Sequence, residues 1–299
     1  MTHLDHAPPC PVTGAPAAFV QSVGCGFLAK LWKIEFGVDA GPSLAGHDRL
    51  SLWRSPTGLM FFDPAPEGDA RFYKSFYARL GDRALPGPGR PRAEYEMAAR
   101  LAPRGGRVLD VGAGAAQAFR PFCEGADYHA FDPHFSPGSA FAEDAGFDLV
   151  CAFQVIEHVA RPAPFFARMA QAARPGGRVA LSVPHAPSAM TRLPNFLMNA
   201  PPHHLTWWTR DALEALCARE GLEAEAVLAI PWGPIDSLIF WASRCTPGRR
   251  ALYYRAAWSW HAAALLGFAL GFAANAAFGP PRPTRDEGAG LLLIARKPL

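Results

Sequence analysis

Residues 106–119 read GRVLDVGAGAAQAF. An apolar run from Arg107 to Val111 meets glycines at 112 and 114 and then alanine-rich sequence, the pattern of a buried strand that ends in a tight turn and feeds a helix. The side chains around the turn decide which ligand it suits. A dinucleotide turn places glycine or alanine at the sixth position of G-x-G-x-x-G, and here that position is Gln117. A P-loop would continue into GK[ST], and none follows. Asp110, two residues before Gly112, gives D-x-G-x-G instead. An acid at a strand end repels a pyrophosphate and attracts a cationic amine.

The surrounding chain has the rhythm of an α/β fold. Helix is expected over Ala93–Leu101, Ala115–Phe122, Ala163–Ala173 and Arg210–Glu220. Strand is expected over Arg107–Val111, Tyr128–Phe131, Phe147–Phe153, Gly177–Val183, Leu222–Ile230 and Gly290–Ala295. Alternation of this kind specifies a doubly wound, mostly parallel sheet covered on both faces, with its ligand at the carboxyl ends of the strands. RPGG at 174–177 stops a helix and starts a strand, and Thr209 is an N-cap for the helix after it. Residues 1–65 form an amino-terminal segment, 66–92 a helix from Gly68 to Leu80 followed by a Pro/Gly-rich linker at 84–92, and 93–299 the α/β domain, interrupted at 232–288 by a helical insertion.

The chain has 299 residues, half of them hydrophobic, enough for a large core. Its net charge is only +3, without a basic run to track phosphates, which argues against a nucleic-acid partner. MTHLDHAPPC has acid and proline where a secretory signal has basic and apolar residues, so a cytoplasmic location is expected. Cys10, Cys25, Cys123, Cys151, Cys217 and Cys245 lack short pairwise spacing and read as reduced, mostly buried thiols.

The electrostatics of the turn suit S-adenosylmethionine (SAM), which carries an ammonium and a sulfonium. With VLDVGAGAA (108–116), YHAFDP (128–133), FDLVCAFQVIEHV (147–159) and RPGGRVALSVP (174–184) in order, the chain resembles the class I SAM-dependent methyltransferases, within the broad group that includes the ubiquinone-biosynthesis O-methyltransferases. The resemblance implies a Rossmann-like sheet with an antiparallel last strand. It implies a SAM site in which the backbone of Gly112 and Gly114 approaches the ligand and Asp110 steers its ammonium. Asp132, twenty-two residues beyond Asp110, would accept hydrogen bonds from the ribose hydroxyls, and Phe153 and Gln154 would line the methyl-donor side. The family's third glycine is Ala116 here. Only fourteen residues separate Asp132 from Phe147, too few for a helix and a further strand, so the adenine-contacting acid falls to Asp144 or Glu143.

Methyl transfer to oxygen needs a held nucleophile and a base, and histidine suits the second task. His203 and His204 in NAPPHHLTWWT (199–209) and His158 in the fourth-strand motif are the candidates. The related quinone O-methyltransferases have two glutamates and a histidine where this chain has Gln154, Glu157 and His158; with the first acid replaced, no metal is expected. The acceptor is a small molecule, most simply a hydroxylated or lipophilic metabolite. C- or N-methylation of a sugar or amine is the alternative within enzymes, and a docking protein on a SAM fold is the alternative outside them.

CPVTG (10–14) and WRSPTGL (53–59) resemble a zinc-ribbon leader whose four thiolate positions read Cys10, Thr13, Arg54 and Thr57, so apolar packing through Trp53, Leu59, Phe61 and Phe62 is expected in place of metal. Ala256–Gly279 carries no charge and is long enough to cross a bilayer, at about 20 residues. One crossing would strand Gly290–Ala295 away from its sheet. The segment is therefore expected to be a helix or bent pair that packs on the protein, joins a homodimer, or lies in a membrane interface with Arg249, Arg250, Arg255, Arg282 and Arg285 towards headgroups. Gly267 and Gly271 permit close helix contact.

Overall fold

The computed structural model describes residues 7–80, 92–114, 117–133, 145–248, 251–285 and 287–299. In chain order the amino-terminal elements are β1 (Ala18–Gly24), α1 (Cys25–Phe36), α2 (Gly41–Leu44), β2 (Arg49–Arg54), β3 (Met60–Asp63) and α3 (Ala70–Leu80). The α/β region follows with α4 (Ala93–Ala99), β4 (Arg107–Val111), β5 (Asp127–Phe131), β6 (Phe147–Phe153), α5 (Pro162–Ala172), β7 (Ala173–Pro184), α6 (Ala189–Arg192), β8 (Thr206–Trp207), α7 (Arg210–Arg219) and β9 (Glu223–Ile230). Two helices, α8 (Pro234–Cys245) and α9 (Trp258–Phe278), precede the last strand, β10 (Gly290–Arg296).

The large sheet has the order β5-β4-β6-β7-β10-β9. β4 pairs in parallel with β5 and β6, and β6 with β7, whereas β10 runs antiparallel to both its neighbours. β6 shows why its sequence is apolar throughout. Leu149 and Cys151 pack on one face with Tyr95 and Phe119, and Val150 and Ala152 on the other with Phe166 and Leu181. A strand covered on both faces has no solvent side to mark with polar residues. Its one acid, Asp148, accepts from Arg107 N (2.9 Å) and Arg174 Nε (2.7 Å), and these bonds hold its carboxyl below the usual range. Thr209 caps α7 as expected, its Oγ1 accepting from Ala212 N at 3.1 Å.

One local expectation is corrected. Instead of a helix over Ala115–Phe122, the described part holds a single 3-10 turn, Arg120–Phe122. Gln117 sits at φ +43°, outside the right-handed helical region, and Pro121 has no N–H to continue a helical ladder. Ala115 and Ala116 lie outside the described residues, as do Glu143, Asp144, Arg249, Arg250 and residues 84–91 of the linker.

The amino-terminal strands form a second sheet, β1-β2-β3-β8, whose fourth strand comes from the α/β region: Met60 and Phe61 pair with Trp207 and Thr206. The turns at 10–14 and 55–58 pack on α7. Arg219 donates to Val12 O (2.7 Å), and Thr209 Oγ1 donates to Thr57 O (2.7 Å). Cys10, Val12 and Leu59 are buried in the same core as Trp208, Leu213 and Cys217, while Trp53, Phe61 and Phe62 are also buried. All six cysteines are free thiols, five of them buried.

The insertion is a helical hairpin, with α9 one continuous helix rather than a bent pair. A Cβ on Gly271 would lie 2.4 Å from Ala242 N, and one on Gly267 would lie 2.9 Å from Ala242 O, so the glycine pair is used against α8 within the chain. The chain between α8 and α9 is held by two amides. Gln21 Oε1 accepts from Tyr253 N (2.6 Å) and Tyr254 N (3.3 Å), and its Nε2 donates to Tyr254 O (3.2 Å). Asn195 bonds both main-chain groups of Arg255, at 2.8 and 3.0 Å.

Candidate functional site

At the carboxyl ends of β4 and β5 the glycine turn folds back onto its neighbour strand. Gly112 N and Ala113 N donate to Phe131 O (2.7 and 3.3 Å), and Gly114 N donates to Asp132 Oδ2 (3.0 Å). Gly112 stands at φ +78°, and a Cβ there would meet Val155 Cγ2 at 2.5 Å; only glycine fits. Gly114, at φ +62°, has no atom of the described residues within 4 Å of where its Cβ would point, which leaves its backbone open to close approach.

Asp110 is buried and accepts from Tyr128 Oη at 2.7 Å. Burial pushes its carboxyl up to about 7, the Tyr128 bond opposes the rise, and the nearby Asp132 charge adds to it. A buried carboxyl raised in this way is relieved by a bound cation.

Of the other residues expected here, Phe153 packs its ring against Phe119 (4.8 Å) and Tyr95 (4.9 Å), within an aromatic cluster. Gln154 sits at φ +57° and donates from Nε2 to Ser182 Oγ at 3.3 Å.

The second half of the site is assembled from segments forty-five residues apart. A 3-10 turn after β6, Ile156–His158, presents Glu157 and His158, and the loop after α6 brings His203 and His204 beside them. The three imidazoles lie 4.5 to 4.9 Å apart between ring centroids. His158 Nδ1 is 2.6 Å from His203 O, and because a carbonyl only accepts, Nδ1 carries the proton and Nε2 the lone pair. His204 Nδ1 stands 3.3 Å from Asn199 Oδ1, the same arrangement. Burial lowers all three: His158 to about 4 against the pull of the His203 and Gln154 carbonyls, and His203 and His204 well below the ordinary range. They are neutral at physiological pH. Glu157 is fully buried, its carboxyl pushed up to about 8 by that burial, with Oε1 3.9 Å from His158 Nε2. Neither Glu157 oxygen nor His203 Nδ1 has a hydrogen-bond partner among the described residues.

Tyr73 and Tyr77 stand one turn apart on α3, 5.7 Å between ring centroids. Tyr73 packs edge-on to His158 at 5.9 Å, while burial, followed by the charges of Asp132 and Glu157, pushes Tyr77 up to about 12. The sequence reading missed both, although their i, i+4 spacing in FYKSFY marks one helix face. Val155 and Asn199 were missed as well: Val155 acts through Gly112, distant in sequence, and Asn199 through His204, reached by an irregular loop whose spacing has no period.

The sequence profile of a family described as a methyltransferase domain matches residues 71–227, more than half of the chain, from α3 through the glycine turn to β9. The chain belongs to this methyltransferase family. It is a SAM-dependent methyltransferase, and the open backbone at Gly114 beside the paired acids Asp110 and Asp132 fits that cofactor's cationic end. No curated protein matches the methyltransferase. Solved structures similar to it include a sarcosine dimethylglycine methyltransferase, described as putative, from Galdieria sulphuraria (14% identity, TM-score 0.41, covering 68% of this chain and 82% of that one). A SAM-dependent methyltransferase from Mesorhizobium loti shows 16% identity and a TM-score of 0.41, covering 69% and 98%. Phosphoethanolamine N-methyltransferase 2 from Haemonchus contortus, with phosphomonomethylethanolamine and S-adenosylhomocysteine, shows 17% and 0.43, covering 71% and 54%.

Proposed function

We propose that this methyltransferase acts on the hydroxyl of a small, lipophilic metabolite that reaches the site from a membrane surface, as the likeness to the quinone O-methyltransferases suggests. When bound, SAM supplies an electrophilic methyl group on a sulfonium and leaves as a neutral thioether. Gly112 and Gly114 give it backbone clearance, Asp110 takes its ammonium and Asp132 its ribose hydroxyls. His203, His204 or His158, neutral and with a lone pair available, accepts the acceptor's hydroxyl proton. Because burial makes these weak bases, positioning supplies more of the rate than proton transfer does. The amino-terminal segment keeps the outline of a zinc ribbon, with apolar packing where the thiolates would be.

The observation that carries the acceptor class is the attachment of the helical hairpin to the histidine-bearing loop. Asn195 grips Arg255, Tyr254 Oη donates to Phe196 O (3.3 Å), and α8 packs Ile239 and Ala242 on Ala189 and Leu193. The hairpin root is thus tied to the segment that carries His203 and His204. Beyond that root, α9 turns an apolar face outward. Trp258, Leu265 and Phe272, seven residues apart, are 83%, 72% and 68% exposed, with exposed arginines at 255, 282 and 285 near its ends. An uncharged helix flanked by cations suits the boundary of an anionic bilayer.

The test combines SAM calorimetry with transfer of labelled methyl from SAM into a cell extract, fractionated into lipid, aqueous small-molecule and protein pools. Label in the lipid pool is expected. Label confined to amines or sugars would favour N- or C-methylation, and SAM binding with no label transferred would favour a docking protein.

A further inference from the structure

The geometry points to a metal site, formed by His158, His203 and His204, for one divalent transition-metal ion of zinc's borderline softness. One ring nitrogen from each imidazole can be chosen so that all three lie within 4.8 Å of one another. The hydrogen bonds from His158 Nδ1 to His203 O and from His204 Nδ1 to Asn199 Oδ1 hold those rings in the tautomer that offers Nε2. A backbone carbonyl or amide oxygen behind each ligating imidazole is the usual way its orientation is set.

A second, independent observation points the same way. Glu157 is wholly buried, both of its oxygens lack a hydrogen-bond partner among the described residues, and Oε1 stands 3.9 Å from His158 Nε2. His203 Nδ1 is unsatisfied as well. Buried polar atoms without partners are costly, and native structures keep few of them. A cation among the three rings would satisfy the lone pairs and give the carboxylate a counter-charge. Three imidazoles with an adjacent carboxylate match the donor preferences of zinc and its first-row neighbours.

This set differs from the two glutamates and a histidine that the family resemblance suggests. Gln154, which replaces the first of those acids, donates to Ser182 instead, and two of the three ligands come from the loop before β8. The absence of metal expected from the sequence followed from that motif and from the missing thiolates at Thr13, Arg54 and Thr57, and neither includes His203 or His204. For catalysis the proposal rests on the methyl-transfer reading and, in the metal-loaded protein, takes the place of its histidine base: with the three lone pairs on the ion, an acceptor hydroxyl bound to it would release its proton to solvent at lower pH, as metal-bound water does. The metal binding itself does not depend on that reading.

The full-length protein, stripped with a chelator and dialysed, would be titrated with Co²⁺ under anaerobic conditions and then challenged with Zn²⁺. Expected are one Co²⁺ per chain, visible ligand-field bands typical of imidazole coordination, and loss of those bands as Zn²⁺ displaces the ion. The double variant His203→Ala/His204→Ala should bind at least roughly 10- to 100-fold more weakly, the cost known even for outer-sphere changes. His129→Ala, outside the cluster, should bind like wild type. Should the double variant not fold, X-ray absorption of the zinc-loaded wild type decides by counting imidazole ligands. No saturable uptake by folded wild type, unchanged uptake in a folded double variant, or a spectrum without imidazole ligation would overturn the site. SAM calorimetry run alongside separates the two proposals: metal uptake without SAM binding defeats the methyl-transfer reading alone, and SAM binding without metal uptake defeats the metal site alone.

Discussion

The rim of the glycine turn and the outer face of α9 depart from the oil-inside pattern in opposite ways. At the rim, Asp110 and Asp132 are charged groups taken out of water; along α9, Trp258, Leu265 and Phe272 are apolar groups left in it. Each arrangement is unfavourable in isolation, and each identifies by its chemistry what would relieve it. Buried acids call for a small cation that brings its own hydrogen bonds. An exposed apolar helix calls for a surface with no hydrogen bonds to lose. The rim is held by short local bonds between adjacent strands, whereas α9 is attached through Gln21 and Asn195, amides from distant parts of the chain.

Four experiments would break or sharpen this contrast. The largest effect is expected from Trp258→Ser/Leu265→Ser/Phe272→Ser. At about 1.5 to 3 kcal/mol for each large apolar side chain buried, membrane affinity should fall by roughly 1,000-fold or more, read as lost co-sedimentation with anionic liposomes. SAM affinity should be unchanged. If the wild-type protein stays in the supernatant, the contrast is broken on the α9 side, and that face is a lid or a dimer surface.

Next, Gln21→Ala leaves three main-chain groups of Tyr253 and Tyr254 without their partner. It should cost about 3 kcal/mol of stability by denaturant unfolding, with faster hydrogen exchange at the hairpin root. Exchange that speeds up evenly through the chain would argue against Gln21 as a local anchor.

Asp132→Ala should then weaken SAM binding by about 1.5 to 3 kcal/mol, the range for a hydrogen-bonded charged group. Part of that loss would come through Gly114, whose amide would lose its acceptor. Calorimetry giving the wild-type affinity would remove Asp132 from the cofactor site.

The smallest effect concerns pH. With the Asp110 carboxyl raised to about 7 in the unliganded fold, its ionised fraction climbs from roughly a tenth at pH 6 to nine-tenths at pH 8, so SAM affinity should rise about tenfold over that interval. Asp110→Asn should flatten the profile. The sign reverses for stability without ligand. A carboxyl raised above its unfolded value of 3.8 favours the fold while protonated in both states, and that advantage is lost as pH rises from about 4 through 7. An affinity that falls with pH would show that Asp110 does not meet the cationic end.

Sequence by itself determined the large sheet, the glycine turn and the cofactor class, because these rest on interactions between near neighbours. Strand alternation, Thr209 as a cap, and Asp110 with Gly112 and Gly114 in one turn all follow from spacing and side-chain chemistry over a few residues. It also marked His158, His203 and His204 separately as candidates. That they meet, that Tyr73 of α3 packs against His158 and His203, and that Glu157 is sealed beside them without a partner among the described residues were decided by the tertiary structure. So were the sharing of β8 with the amino-terminal sheet and the use of Gly267 and Gly271 against α8. These depend on long-range closure and on which surfaces are left to exclude water, and neither has a local period or spacing that a linear reading can detect.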